Sequence, residues 1–140
     1  MKILVAVDGS KYTRRVLDYL ISHRSQWGAR PEVTLLNVQY ALPPHIASSL
    51  GRRAVAAYYA DESRKALAVA SRRLDRAGMA YQASALVGEP GTTIADQATR
   101  GKFDLVLMGS HGHTALANLV LGSCTTKVMS QCRVPVTVIR

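Results

Sequence analysis

Residues Asp104 to Thr126 read D-L-V-L-M-G-S-H-G-H-T-A-L-A-N-L-V-L-G-S-C-T-T. The apolar run Leu105 to Met108 has the length of a buried strand. Gly109 stops it, Gly112 follows three positions later, and after nine intervening residues come Gly122 and Ser123. From Ser123 to Cys132 the pattern turns helical, with Cys124, Val128 and Cys132 on one face. The stretch therefore reads strand, glycine-punctuated loop, helix. Glycines let backbone approach a ligand closely, and the first N–H groups of a helix carry partial positive charge. Ser123 is placed to cap that helix. Such an arrangement suits a phosphate, although glycines after a strand also serve as plain turn punctuation. It is neither a Walker A loop, which needs Gly-Lys-Ser/Thr, nor the G-x-G-x-x-G fingerprint.

Working outward, strands and helices alternate. K-I-L-V-A-V, Lys2 to Val7, reads as a buried parallel strand ended by Asp8-Gly9-Ser10, with Ser10 as N-cap of a helix running to about Arg24. Val16, Leu17, Leu20 and Ile21 form that helix's apolar stripe. A turn at residues 27–31 leads to a second strand, Val33 to Val38. Residues 40–53, broken by Pro43-Pro44, Ser48-Ser49 and Gly51, read as a loop with room for a short helical piece, either a lid or a connector. Ala54 to Ala77 is the longest helix, with Tyr59, Ser63, Ala66, Leu67, Ala70, Leu74 and Ala77 inward and Gly78 as its stop. Ala80 to Val87 alternates in polarity and suits a sheet edge. A turn at residues 88–91 precedes a helix starting at Thr92 or Thr93. Phe103 to Met108 is the fourth strand and Val134 to Ile139 the fifth. The fold class is α/β, one doubly wound domain over 1–140 with a five-stranded parallel sheet and right-handed crossovers. Ligands in such sheets sit beyond the C-terminal strand ends, where the strand order reverses.

The 140 residues, 48% hydrophobic, are enough for a real core. No apolar run approaches the ~20 residues of a membrane span, and Met1 to Val7 lacks a signal-peptide core, so a cytoplasmic location is expected. Cys124 and Cys132, eight apart on one helix, stand about 12 Å apart, too far for a disulfide. The net charge of +9 raises nucleic-acid binding, and seven of the 18 basic residues fall on or just before the long helix. Aromatic residues are few and no nucleic-acid motif appears, so a solvated basic face is expected, with no specific nucleic-acid partner.

The spacing G-x2-G-x9-G-[ST] of Gly109, Gly112, Gly122 and Ser123 resembles that of the ATP-binding branch of the universal stress protein family. The resemblance runs the length of the chain, from M-K-I-L-V-A-V-D-G-S to V-P-V-T-V-I-R. It implies the strand order 3-2-1-4-5 of an adenine nucleotide alpha hydrolase-like fold, with Asp8 and Gly109 on opposite lips of one crevice. It also implies ATP as ligand, with Mg²⁺ carried by the phosphates. Asp8 would line the adenosine pocket and Val38 would pack on adenine. Met108 and Gly109 would lie near the ribose. His111, Gly112, Gly122, Ser123, Cys124 and Thr125 would lie along the phosphates. Family members commonly pair the last strand with its copy, which implies a homodimer through 134–139, with Val136 and Val138 at the contact.

Read by themselves, Asp8 is also an ordinary turn acid and Val38 an ordinary core valine. His111 and His113 lack a third metal ligand nearby, so no protein-held metal is expected. Lys127 either approaches phosphate or faces solvent. No nucleophile–base pair, G-x-S-x-G elbow, H-E-x-x-H or D-x-D stands out, and no arginine can be placed as a finger. The expectation is a nucleotide-binding regulatory protein of the stress response with slow turnover at most. The alternative is a dimeric interaction module whose pocket is empty or holds another ligand.

Overall fold

In the computed structural model, residues 1–113 and 120–140 are described; 114–119, the middle of the nine-residue spacer, lie outside the described residues. The elements are β1 (Lys2–Ala6), α1 (Lys11–Ser22), a 3-10 turn (Arg24–Trp27), β2 (Glu32–Gln39), α2 (Pro44–Leu50) and α3 (Arg52–Arg76). There follow β3 (Tyr81–Val87), α4 (Pro90–Arg100), β4 (Leu105–Gly109), α5 (Ser123–Gln131) and β5 (Val136–Ile139). The strands form one sheet in the order β3-β2-β1-β4-β5, and every pairing is parallel.

Strand burial follows sheet position. β1 and β4 lie at the centre in the register Ile3↔Leu105, Leu4↔Val106 and Val5↔Leu107, and their interior residues are buried on both faces, which is why they read as unbroken apolar runs. On one face Ile3, Val5, Val33, Leu35 and Leu107 pack against Val16, Leu17 and Leu20 of α1 and Ala70 and Leu74 of α3. On the other, Leu4, Leu36, Val106 and Met108 meet Ile94 and Ala98 of α4 and Val128 of α5. Trp27 closes the first layer, buried, with its Nε1–H donating to the Leu20 carbonyl at 2.8 Å. The sequence marked that residue only as part of a turn. β3 lies at one edge as expected, but its alternation is not the one the polarity suggests: Gln82 and Ala83 are both exposed, as are Ala85 and Val87, and Ser84 is half-buried.

Several boundaries shift for physical reasons. The 40–53 loop is mostly helix: Pro44 and Pro90 both stand at helix starts, where the missing N–H has no intrahelical partner to lose and φ is already helical. Both prolines read as breakers and are starters. α4 thus begins ahead of Thr92, and the Glu89 carboxylate caps it, accepting the Thr92 N–H at 2.8 Å. α3 begins at Arg52, so Arg52 and Arg53 belong to the helix. α1 stops at Ser22, before Arg24. Of the inner face assigned to α3, Ser63, Ala66, Ala70 and Leu74 are buried, while Tyr59, Leu67 and Ala77 are half-covered. Its stop follows the expected glycine pattern: Met79 N–H reaches the Leu74 carbonyl and Gly78 N–H that of Asp75, at 3.0 and 3.1 Å.

The exposed Asp18–Arg73 pair ties α1 to α3, but exposed pairs contribute little, so the docking of α3 rests on its buried side chains. Leu74, fully buried between α3 and the sheet, is the test: Leu74→Ala should lower stability by about 2–5 kcal/mol in urea denaturation. A loss under about 1 kcal/mol would mean that α3 is not docked as described.

Candidate functional site

The strand order reverses between β1 and β4: from β1 the chain builds outward through β2 and β3, and from β4 through β5. Beyond their C-terminal ends lies a cleft of about 560 Å³, lined among others by Asp8, Asn37, Val38, Met108, Gly109 and Ser123. Nine of the ten residues that the sequence singled out line it; the tenth, Gly122, does not. Gly122 shapes the loop instead, its N–H donating to the Ser110 carbonyl at 2.7 Å.

Asp8 has two duties. Its Oδ1 accepts the Ser10 N–H and the Thr13 hydroxyl, each at 2.9 Å, while Thr13 Oγ1 accepts the Asp8 N–H at 3.1 Å. Ser10 in turn caps α1 by accepting the Tyr12 N–H. Oδ1 is therefore committed to starting α1, and Oδ2 is the oxygen directed toward the loop: a Cβ on Gly112 would stand 2.8 Å from it. At Gly109 a Cβ would meet the Tyr12 Cβ at 2.6 Å and the His111 carbonyl at 3.2 Å. Glycine there is what allows α1 and the loop to approach so closely.

The start of α5 differs from expectation. Gly122, not Ser123, is its N-cap, and no side chain caps it. Ser123 is the first helical residue, and its hydroxyl is not the cap. The leading N–H groups of a helix have no partner within it, and Gly122 at the cap has no side chain to supply one. Ser123, Cys124 and Thr125 line the cleft, and Thr125 is anchored by donating its hydroxyl to the Gly109 carbonyl at 2.9 Å. The partial positive charge of this helix start thus faces the cleft.

His111 packs its ring 5.4 Å from that of Tyr12, with Nδ1 3.1 Å from Ser110 Oγ. His113 is exposed, its Nε2 2.6 Å from the Asp8 carbonyl oxygen. Among the described residues no cluster of three or more His, Cys, Asp or Glu can hold a metal. Lys127 is exposed to solvent, with its side chain against Gly91 and its ammonium 3.5 Å from Glu89. Other cleft residues were not singled out in the sequence. Asn37, buried on β2, donates Nδ2–H to the Val7 carbonyl and accepts from Gln39, both at 2.8 Å. Glu62 and Lys65 reach the cleft from α3. Asn37 is a polar residue inside an apolar strand, which is a visible anomaly; Glu62 and Lys65 lie in a helix rich in charge and are not distinguishable there.

A model of the universal stress protein family matches residues 1–140. The chain belongs to that family. Universal stress protein YxiE of Bacillus subtilis is 28% identical over 147 residues, covering 99% of this chain and 98% of the relative. Universal stress protein Slr1230 of Synechocystis is 29% identical over 142 residues, covering 99% of this chain, which spans only 42% of that relative's length. Among solved structures, that of MJ0577, a protein of Methanocaldococcus jannaschii, matches with a TM-score of 0.83 at 26% identity, over 99% of this chain and 94% of that one. The fold is shared by a universal stress protein in complex with cAMP, at TM-score 0.73 and 21% identity over 100% and 97% of the two chains. It is also shared by the Archaeoglobus fulgidus protein in complex with dAMP, at TM-score 0.68 and 22% identity over 100% and 98%. No helix among the described residues of this universal stress protein is long and apolar enough to cross a membrane.

Burial pushes the Cys124 thiol up to about 11, with the negative fields of Glu89 and Asp8 adding to it and Lys127 partly offsetting them. A thiol held neutral this way contributes stability that fades as pH rises from the ordinary thiol range toward 11, because the unfolded chain ionises first. It is also a poor nucleophile at neutral pH. In a Cys132→Ser chain at pH 8, Cys124 should react with a disulfide reagent at least about tenfold more slowly than free cysteine, the loss of thiolate outweighing its greater intrinsic reactivity. A rate equal to that of free cysteine would show that this wall of the cleft is open to solvent.

Proposed function

We propose that this chain binds an adenine nucleotide, ATP with Mg²⁺ carried on its phosphates, in the cleft between β1 and β4. Its role is regulatory, in the stress response and in the cytoplasm, with occupancy of the cleft changing the protein's partners. Residues 1–140 act as one domain in this reading. The observation that carries it is the uncapped start of α5, facing a cleft whose opposite lip is the Asp8 carboxylate. One end offers helix N–H groups and close glycine backbone to an anion. The other offers a carboxylate oxygen to the hydroxyls of a sugar or the N–H of a base. Val38, Met108 and Ile94 supply apolar lining between them. The volume suits a small-molecule ligand, for which pockets run from roughly 300 to 1,000 Å³. Nucleotides bound to two proteins of this fold, cAMP and dAMP, support the choice of adenine. His111, Gly112, Gly122, Ser123, Cys124 and Thr125 are assigned to the phosphate side, Asp8 and Val38 to the adenosine side, and Met108 and Gly109 to the middle.

A dimer is favoured by a separate observation. β5 is an edge strand whose four residues are all half-buried. The carbonyls of Pro135 and Ile139 accept from Val106 and Ser110 of the inner neighbour at 2.9 and 2.8 Å. By alternation, the backbone groups of Val136 and Val138 point away from β4, unpaired within the sheet. Their side chains pack against the α4–α5 core. The proposed twofold contact is thus a backbone pairing of two β5 strands, consistent with an isologous interface.

Two experiments test these readings. Calorimetry with ATP should show binding to the wild type and at least about tenfold weaker binding to folded Gly112→Val, whose added bulk meets Asp8 Oδ2; equal affinity would remove the phosphate assignment. In sedimentation, the wild type should be dimeric. Val136→Pro, which removes one outward N–H at the first residue of an edge strand where proline is tolerated, should shift it to monomer with ATP affinity kept. A wild-type monomer would end the dimer reading.

A further inference from the structure

The cations on the elements around the cleft are of two kinds, and of them Lys65 lines it. Lys65 lies 2.8 Å from Asp61 and 3.1 Å from Glu62, and Lys127 lies 3.5 Å from Glu89. Both are neutralised locally. Lys11 and Arg15, in the first turns of α1, are different. Both are exposed, and among the described residues neither makes an ion pair. Each instead sits over the Tyr12 ring, the Lys11 ammonium at 5.2 Å and the Arg15 guanidinium at 5.6 Å from its centroid. Tyr12 lines the cleft, its ring is 5.4 Å from that of His111, and its Cβ is the atom that a side chain on Gly109 would strike. Two positive charges with no ion-pair partner among the described residues are therefore held on one aromatic ring that lines the cleft and neighbours His111.

We infer that Lys11 and Arg15, seated on Tyr12, form a subsite for the outer phosphates of a polyphosphate chain, so that the site selects nucleotides by phosphate count. The inference rests on the adenine-nucleotide reading and specifies its ligand class. A phosphate next to the ribose is met by the glycine loop and the start of α5. A longer chain leaving that cradle toward α1 meets cations that, among the described residues, no carboxylate pairs with. Lysine supplies a mobile point charge there and arginine a planar fork for phosphate oxygens. Such exposed cations act over about 10 Å at 0.1 M salt and are progressively screened above it. They therefore add to the binding of a triphosphate and little to that of a monophosphate. That would set this chain apart from relatives whose named ligands, cAMP and dAMP, carry one phosphate.

The test is calorimetry with AMP, ADP and ATP on the wild type, on K11Q/R15Q and on the charge-preserving K11R/R15K, all checked for equal melting temperature. In the wild type, affinity should rise from AMP to ATP. K11Q/R15Q should bind ATP about tenfold more weakly, with AMP changed less than twofold. Its ATP affinity should also fall less steeply with salt, and K11R/R15K should restore binding. If K11Q/R15Q binds ATP as the wild type does, or loses AMP and ATP equally, the subsite is overturned while the nucleotide reading stands. If the wild type binds none of the three, the nucleotide reading fails and the subsite with it.

Discussion

The molecule is organised by one constraint. β1 and β4 lie side by side at the centre of a parallel sheet, and the chain leaves them toward opposite faces. After β1 it turns into α1, packed with α3; after β4 it passes through the glycine loop into α5, packed with α4. Among the described residues no helix covers the seam between the two exits, and the cleft opens there. Two helix starts converge on it: that of α1, capped by Ser10, and that of α5, capped by no side chain. The chemistry of the site follows from that difference, because the helix start without a cap is the one with donors left to offer.

Much of this was legible in the chain. Apolar runs of strand length, separated by helical stripes, specify alternating elements, and the central strands are legible because the positions buried on both faces, 3–5 of β1 and 106–108 of β4, are all apolar. The glycine spacing was legible because close approach at Gly109 admits no Cβ. Proline misled twice, at Pro44 and Pro90, since the same residue that ends a helix also begins one. The cap of α5 was misplaced by one residue for a related reason. Ser123 is a better capping residue than Gly122, but tight packing of the loop against Ser110 and His111 decides the backbone there.

What the sequence could not reveal was which charges are spent. Lysines and arginines on α1, α3 and α5 look alike in one dimension. Only the fold shows Lys65 and Lys127 beside carboxylates and Lys11 and Arg15 over an aromatic ring. The same applies to Asp8, whose two oxygens have separate employments. Because Oδ1 holds the first turn of α1, removing the carboxylate disturbs the helix as well as the cleft, and a change to Asn keeps the oxygen while altering the charge.

α2 has no buried residue, and its packing is against α3. A hydrogen bond from Leu42 N–H to Tyr59 Oη at 2.6 Å fastens the chain that leads into it. Neither core layer depends on residues 40–51. The entropy of closing a loop grows only slowly with its length, so this stretch is where the chain can be lengthened, shortened or rewritten with the sheet left intact. Since Tyr40 lies on the wall of the cleft, such rewriting would pass by the mouth of the site, and the fold leaves that entrance open to divergence while the central strands stay nearly fixed.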